Sequence, residues 1–160
     1  MLLKDNDLII LSTDNEDNEL QELINDRDIL ATMSEKCWYR LNMPEKIEYR
    51  LEAKGKLVGS ITLSNIRWFN HKAMVSLFIK LSEQNKGYAK RSLRMIIDHC
   101  FNMLNFHRLE AEIVDYNDKS IKLFESLGFE HEGTLREARY FEGKYHDIYI
   151  YGLLKHSHGN

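Results

Sequence analysis

Between residues 73 and 114 the apolar residues change period twice, and few architectures accommodate that change. Val75, Leu77 and Ile79 alternate, as a half-buried strand over 73–81 requires. Leu93, Ile96, Ile97, Cys100, Phe101 and Leu104 then follow helical spacing, which predicts an amphipathic helix over about 87–104. Residues 108–114 return to strand character. A strand, a helix and a strand in close succession make a crossover unit, which places two neighbouring strands parallel.

The flanking segments predict mostly antiparallel pairing. Residues 8–11 read as a short strand and residues 14–30 as a helix with Leu20, Leu23 and Ile24 on one side. Residues 31–46 carry no clear period. Residues 48–53 alternate strictly, Lys54-Gly55 is a turn, and 56–63 is the return strand. Residues 117–127 form a second amphipathic helix through Ile121, Phe124 and Leu127. Gly128 sits at the position after the helix, where a positive φ is wanted. Two closing strands, 129–139 and 144–155, join at Glu142-Gly143. The predicted fold class is mixed α/β (α+β): a single domain with a largely antiparallel sheet flanked by helices.

Composition narrows the function. The chain has 160 residues, 43% hydrophobic and 29% charged, enough to bury one core. A net charge of −3 and a single proline, Pro44, exclude a generally basic nucleic-acid binder and a Pro-rich scaffold. Cys37 and Cys100 stand far apart, outside any CxxC or Cys/His cluster, so thiols in a reducing compartment are expected. Lys4, Asp5 and Asp7 interrupt the first apolar run, and no stretch approaches membrane-spanning length; a cytoplasmic location is expected. The charge is uneven: residues 1–30 hold nine acids and two bases, a net of −7, and the other 130 residues carry +4. An acidic end reads as a solvated face or as a receiver of cations.

Two stretches carry candidate chemistry. In the first, the strand over 73–81 runs through Ser82-Glu83-Gln84-Asn85-Lys86-Gly87 into the helix. Helix N-termini present unpaired amides and partial positive charge, so such a turn suits a phosphate. Gly87 permits close backbone approach, and Lys86, Lys90, Arg91 and Arg94 add positive charge. Neither GxxxxGK[ST] nor GxGxxG occurs. An ordinary turn with solvated lysines is the competing reading. In the second stretch Asn117 is an N-cap by type and place, which alone marks a capped helix.

Together the stretches are specific. Gln84-Asn85-Lys86-Gly87-Tyr88-Ala89 matches the Gln/Arg-x-x-Gly-x-Gly/Ala signature of the GNAT superfamily of N-acetyltransferases. Asn117-Asp118-Lys119-Ser120-Ile121 and Leu127-Gly128-Phe129-Glu130-His131-Glu132-Gly133 match that superfamily's second acetyl-CoA motif in order and spacing. The tail Gly143-Lys144-Tyr145-His146-Asp147-Ile148 resembles the branch containing ribosomal-protein and spermidine N-acetyltransferases. The resemblance runs from about 57 to 155; the first 45 residues share only the element order.

The resemblance implies one domain over 1–160, with an acceptor-side segment at about 1–46 and an acetyl-CoA-binding core at about 47–155. Its two central strands would splay into an acetyl-CoA cleft. Phe78, Ile79 and Lys80 would pair through their backbone with the pantetheine arm. The amides of Gln84, Asn85, Lys86, Gly87, Tyr88, Ala89 and Lys90 would hold the pyrophosphate, with Lys90 and Arg91 neutralising ADP phosphates. Asn117 and Ser120 would approach the cofactor arm. The implied reaction is direct attack of an amine on the thioester, the acceptor being a cationic small amine (polyamine-like or an antibiotic amine) or a protein N-terminal amine. An aliphatic amine, with a pKa near ~10, must lose a proton to attack. Glu112 matches the position of a glutamate base in some ribosomal-protein acetyltransferases; an exposed strand glutamate is the competing reading. Phe124 stands where several relatives carry a tyrosine acid, so either Tyr116 substitutes or the thiolate leaves without an acid. No metal is implied, neither nucleic acid nor membrane is an expected partner, and many relatives pair as homodimers. A catalytically silent acetyl-CoA-binding regulatory module is the alternative. Trp38, Trp68, Tyr140 and Tyr145 could line an acceptor pocket, with core or sheet packing the default. Met95 and Met103 read as helix packing, and His156-Ser157-His158 as a flexible tail.

Overall fold

The computed structural model describes residues 2–5, 8–11, 18, 22 and 43–158. The chain forms two compact units, Met1–Asn42 and Met43–Asn160. In the first, β1 (Leu2–Asp5) pairs antiparallel with β2 (Leu8–Leu11), Leu2 opposite Leu11. β2 is the strand expected over 8–11. β1 is additional: four residues ending in Lys4 and Asp5 carry no legible alternation. The helix expected over 14–30 lies outside the described residues except for Asn18 and Glu22, both helical. Cys37 and Trp38 also lie outside them.

In the second unit, alternation along β3 (Ile47–Ala53) turns Ile47, Tyr49 and Leu51 toward the core. The Lys54-Gly55 turn, with φ of 52° and 72°, leads into β4 (Lys56–Arg67). β4 outruns its expected end at Leu63 because the ladder resumes after a bulge, Arg67 opposite Lys72. β5 (Lys72–Ile79) ends short of Leu81. The Lys80 N–H makes a last bond to the Val58 carbonyl at 2.9 Å, and a 3₁₀ turn, Leu81–Glu83, follows. α1 (Tyr88–Asn102) buries Leu93, Ile96, Ile97, Cys100 and Phe101, the predicted stripe. β6 (Arg108–Val114), α2 (Asp118–Glu125), β7 (Glu130–Phe141) and β8 (Lys144–Leu154) complete the chain, with Gly128 at φ 89° and a turn at Glu142-Gly143.

The six strands lie in the order β3-β4-β5-β6-β8-β7, antiparallel except for β5 beside β6. The buried residues of α1 and Phe124 of α2 join Ile61, Leu63, Val75, Leu109, Ala111, Ile113, Tyr151 and Leu153 in one core. Both helices therefore cover the same sheet face. Intervening residues such as Ser76, Glu110 and Glu112 point to the opposite face. Burial pushes the Cys100 thiol up to about 12, so it stays a neutral core group.

Some side chains depart from expectation. Met95 and Met103 are 71% and 75% exposed on the outer side of α1 and pack into no core. The carboxy-terminal histidines are held: Lys155–Ser157 forms a 3₁₀ turn, and His158 Nε2 lies 2.8 Å from Asp98 with its ring against Phe101. Trp68 is structural, its indole N–H donating to the Pro44 carbonyl at 2.8 Å and its ring resting on Phe106. Tyr140 and Tyr145 pack on each other at the exposed tip of the β7–β8 hairpin.

Candidate functional site

The site begins where the sheet comes apart. β5 and β6 pair at only three positions, Lys72–Arg108, Ala73–Leu109 and Met74–Glu110. Both strands continue, β5 to Ile79 and β6 to Val114, without further pairing. Backbone groups on the facing edges of 75–79 and 111–114 thus lack the partners a continued ladder would supply.

An ion network clamps the closed end. Lys72 Nζ lies 3.0 Å from Glu110 Oε1, Arg108 Nε lies 2.8 Å from the same oxygen, and Arg108 also grips Glu132 with both terminal nitrogens. Burial alone would raise the Glu110 pKa, but hydrogen bonds from Arg108 and Lys72 bring it below the ordinary carboxylate range. The hydrogen bond from Arg108 lowers that of Glu132. The same pair raises the already high pKa of Arg108. Gly152 belongs to this device, because a Cβ there would collide with the Glu132 carboxylate.

At the open end two helices begin. The turn ahead of α1 places Asn85 at φ 62° and Gly87 at φ 78°, a left-handed geometry that Asn tolerates and Gly favours. Gly87 is the N-cap of α1 and provides no side-chain acceptor, so the first-turn amides stay open. The Gln84 side chain donates to the Ile79 carbonyl at 3.2 Å and ties the turn to the strand end. Asn117 caps α2, its Oδ1 accepting the Ser120 N–H at 3.2 Å.

Between these helix starts and the end of β5 lies a cleft of about 610 Å³. Of the sequence candidates, Phe78, Ile79, Gln84, Asn85, Gly87, Tyr88, Ala89, Lys90, Asn117 and Ser120 line it. Three do not. Lys80 is exposed just past β5, Lys86 pairs with Glu83 at 2.9 Å, and Arg91 lines a separate groove against β3. Sequence reasoning missed Lys119, Lys122 and Leu123, which also line the cleft. The two lysines sit one turn apart on α2, and that spacing was the available signal.

Glu112 is exposed on β6 beyond its last rung to β5, on the face away from the helices. Tyr116 is 47% exposed, stacked on Phe141 at 5.9 Å and edge-on to His146 at 4.6 Å, and it does not line the cleft. Phe124 is buried against Phe129, so it is a core side chain.

A cleft at the end of β5, beside the starts of two helices and lined by Lys90, Lys119, Lys122 and Glu83, agrees with a family comparison. Residues 2–150 match the model of the acetyltransferase (GNAT) domain. The chain belongs to the GNAT family. Its relatives include the spermidine N(1)-acetyltransferase of Vibrio cholerae, 26% identical over 81% of this chain and 82% of the relative. An uncharacterized N-acetyltransferase, p20, of Bacillus licheniformis is 33% identical over 62% of this chain and 56% of its own length. A Bacillus subtilis protein assigned as a ribosomal N-acetyltransferase is 34% identical over 68% and 60%. Matches to such relatives thus span as little as about half of their length. The Vibrio cholerae enzyme crystallised with CoA and spermine superposes with a TM-score of 0.69 at 26% identity, covering 89% of this chain and 77% of that one. The GNAT assignment agrees with the α/β fold and the splayed strands predicted from sequence. Among the described residues no helix is long and apolar enough to cross a membrane, and no three His, Cys, Asp or Glu side chains cluster as metal ligands.

Proposed function

We propose that the chain transfers the acetyl group of acetyl-CoA to a primary amine. The carrying observation is the junction of β5 and β6, three rungs and then a gap, with the starts of α1 and α2 at its open end. In this reading the pantetheine arm lies along Ile79 and its neighbours and takes up the unpartnered backbone groups. The pyrophosphate rests on the amides of Gly87 to Lys90, where helix polarity favours an anion. Lys90, Lys119 and Lys122 neutralise the nucleotide phosphates. Backbone donors in the gap stabilise the oxyanion of the tetrahedral intermediate. The thioester reaches the face that carries Glu112, and the amine approaches there, drawn by that carboxylate.

The acceptor is a cationic small amine or a protein N-terminal amine. A spermidine N(1)-acetyltransferase and a protein assigned as a ribosomal N-acetyltransferase are among the relatives, and the exposed carboxylate of Glu112 favours a cation. The absence of a nearby phenol at position 124 supports a silent acetyl-CoA-binding module as the second reading. The expected place of work is the cytoplasm, with acetyl-CoA and a homodimer partner as companions.

The test is calorimetric titration of CoA into wild type and Gly87→Glu, with thiol release measured against spermidine, an aminoglycoside and a peptide with an unblocked N-terminus. Space around Gly87 is open, but its φ of 78° strains any side chain, so circular dichroism checks the fold of the variant, which places a carboxylate at the phosphate turn. Wild-type binding and thiol release, with binding lost in the variant, are expected. Unchanged CoA affinity in the variant refutes the pyrophosphate assignment; binding without thiol release supports the silent module.

A further inference from the structure

The reaction needs a proton acceptor, and the structure holds a pair of groups that the motifs did not indicate. His146 Nδ1 lies 3.2 Å from Asp115 Oδ1. That oxygen is closed off from solvent and accepts no full hydrogen bond, while the carboxylate's other oxygen takes the Asp147 N–H at 3.3 Å. The contact is an ion-pair distance without hydrogen-bond geometry; a hydrogen on Nδ1, which the carboxylate favours, would leave the lone pair on Nε2.

The pair stands at the right end of the sheet. Val114 pairs with Ile148 and Glu112 with Ile150, so alternation along β8 puts His146 on the face of Glu112, opposite the helices. Asp115 and Tyr116 form the turn between β6 and Asn117, which lines the cleft. The β7 ladder is interrupted between Leu135 and Arg139, with Glu137 at φ 53° and its N–H on Asp147 Oδ1 at 2.8 Å. Beyond that bulge, Phe141 stacks on Tyr116, and Tyr116 meets the His146 ring edge-on. Two aromatic faces beside a carboxylate make a favourable setting for an ammonium.

We propose that His146 is the general base of the transfer, positioned by Asp115, and that Tyr116 and Phe141 steady the incoming ammonium. Carboxylates titrate near ~4 and imidazoles near ~6.5, so an imidazole accepts an ammonium proton more readily at neutral pH. Glu112 then serves to attract the cation, and Tyr116 serves as a wall. His146 Nε2 takes one proton from the ammonium. The amine nitrogen bonds to the thioester carbon, the intermediate collapses, and the carbon–sulfur bond breaks with its electron pair going to sulfur. The imidazolium returns its proton to the thiolate, and the amide nitrogen sheds its remaining proton to water. Asp115 and Tyr116 from the β6–α2 turn contact His146, Arg139 stands opposite it on β7, and Lys144 shares its face of β8.

The proposal rests on the acetyl-transfer reading, and two measurements separate their failures. Spermidine and the peptide are assayed with acetyl-CoA across pH, and the His146 tautomer is read by ¹⁵N NMR of the unliganded protein. His146→Gln is expected to lower kcat about 100-fold, abolish the rise of kcat/KM through the imidazole range and leave CoA affinity within twofold. Asp115→Asn is expected to reduce kcat about tenfold and to leave CoA affinity within twofold. Glu112→Gln is expected to raise KM for spermidine while keeping the pH rise. A 100-fold loss of kcat in Glu112→Gln, with the pH rise intact in His146→Gln, overturns the assignment. So does a hydrogen found on Nε2 rather than Nδ1. No turnover by wild type on any acceptor overturns the acetyl-transfer reading, and the tautomer still decides the His146–Asp115 geometry.

Discussion

At position 124 a phenyl ring lies inside the core, in edge-on contact with Phe129 at 5.0 Å. A hydroxyl added there would enter an apolar environment. Phe124→Tyr is therefore expected to destabilise the fold by about 1–3 kcal/mol, the cost of an unpaired buried hydroxyl, and to leave turnover unchanged. Urea unfolding and the thiol-release assay check both parts; a gain in turnover would show that the position reaches the cofactor sulfur. What could be read from the sequence at this scale was whatever is local. Asn117 announced its cap through residue type, and Gly128 announced its positive φ through the helix end that needs it. His146 and Asp115 meet only because β6 and β8 pair in one register, and nothing near either residue signals it. Lys119 and Lys122 look like any solvated pair on a helix until α2 is placed beside the end of β5.

Among the elements, those with an unmixed period were legible. β6 and the apolar stripe of α1 match their predicted residues because each buries one face. The ends of β4 and β5 were misread because a bulge and a closing hydrogen bond, rather than side-chain polarity, decide where they stop. The seam of β6 with β7 and β8 carries its own prediction. Glu110 and Glu132 have folded-state pKa values below the ordinary range, set against Arg108 and Lys72. Their contribution to stability is complete above the unfolded carboxylate value of about 4.3 and is lost as pH falls through the folded values. Denaturant midpoints should decline below about pH 4.3, and Glu132→Gln should flatten that decline. Equal slopes in the two proteins would show that Glu132 does not contribute.

For the whole molecule, the net charge of −3 is the sum of opposed parts, −7 in residues 1–30 and +4 in the remainder. On the proposed reading Lys90, Lys119 and Lys122 meet a polyphosphate and Glu112 an ammonium. Raising the salt concentration should therefore raise the Michaelis constants for both acetyl-CoA and spermidine. Only the tertiary structure reveals that β3, β4 and β5 are joined to β6, β8 and β7 through one ladder of three rungs. That junction has a mechanical meaning. On the proposed reading a pantetheine arm in the gap is a removable strand, bonded to both halves where the protein's own ladder gives out. Acetyl-CoA at 100 times its dissociation constant should stabilise the fold by about 2.7 kcal/mol, and amide exchange should slow along 75–79 and 111–114. Protection confined to the helix N-termini would show that the arm does not bridge the halves. On the bridging reading the substrate is a structural member as well as a reactant: each product release would take a rung out of the sheet, and each new acetyl-CoA would put it back.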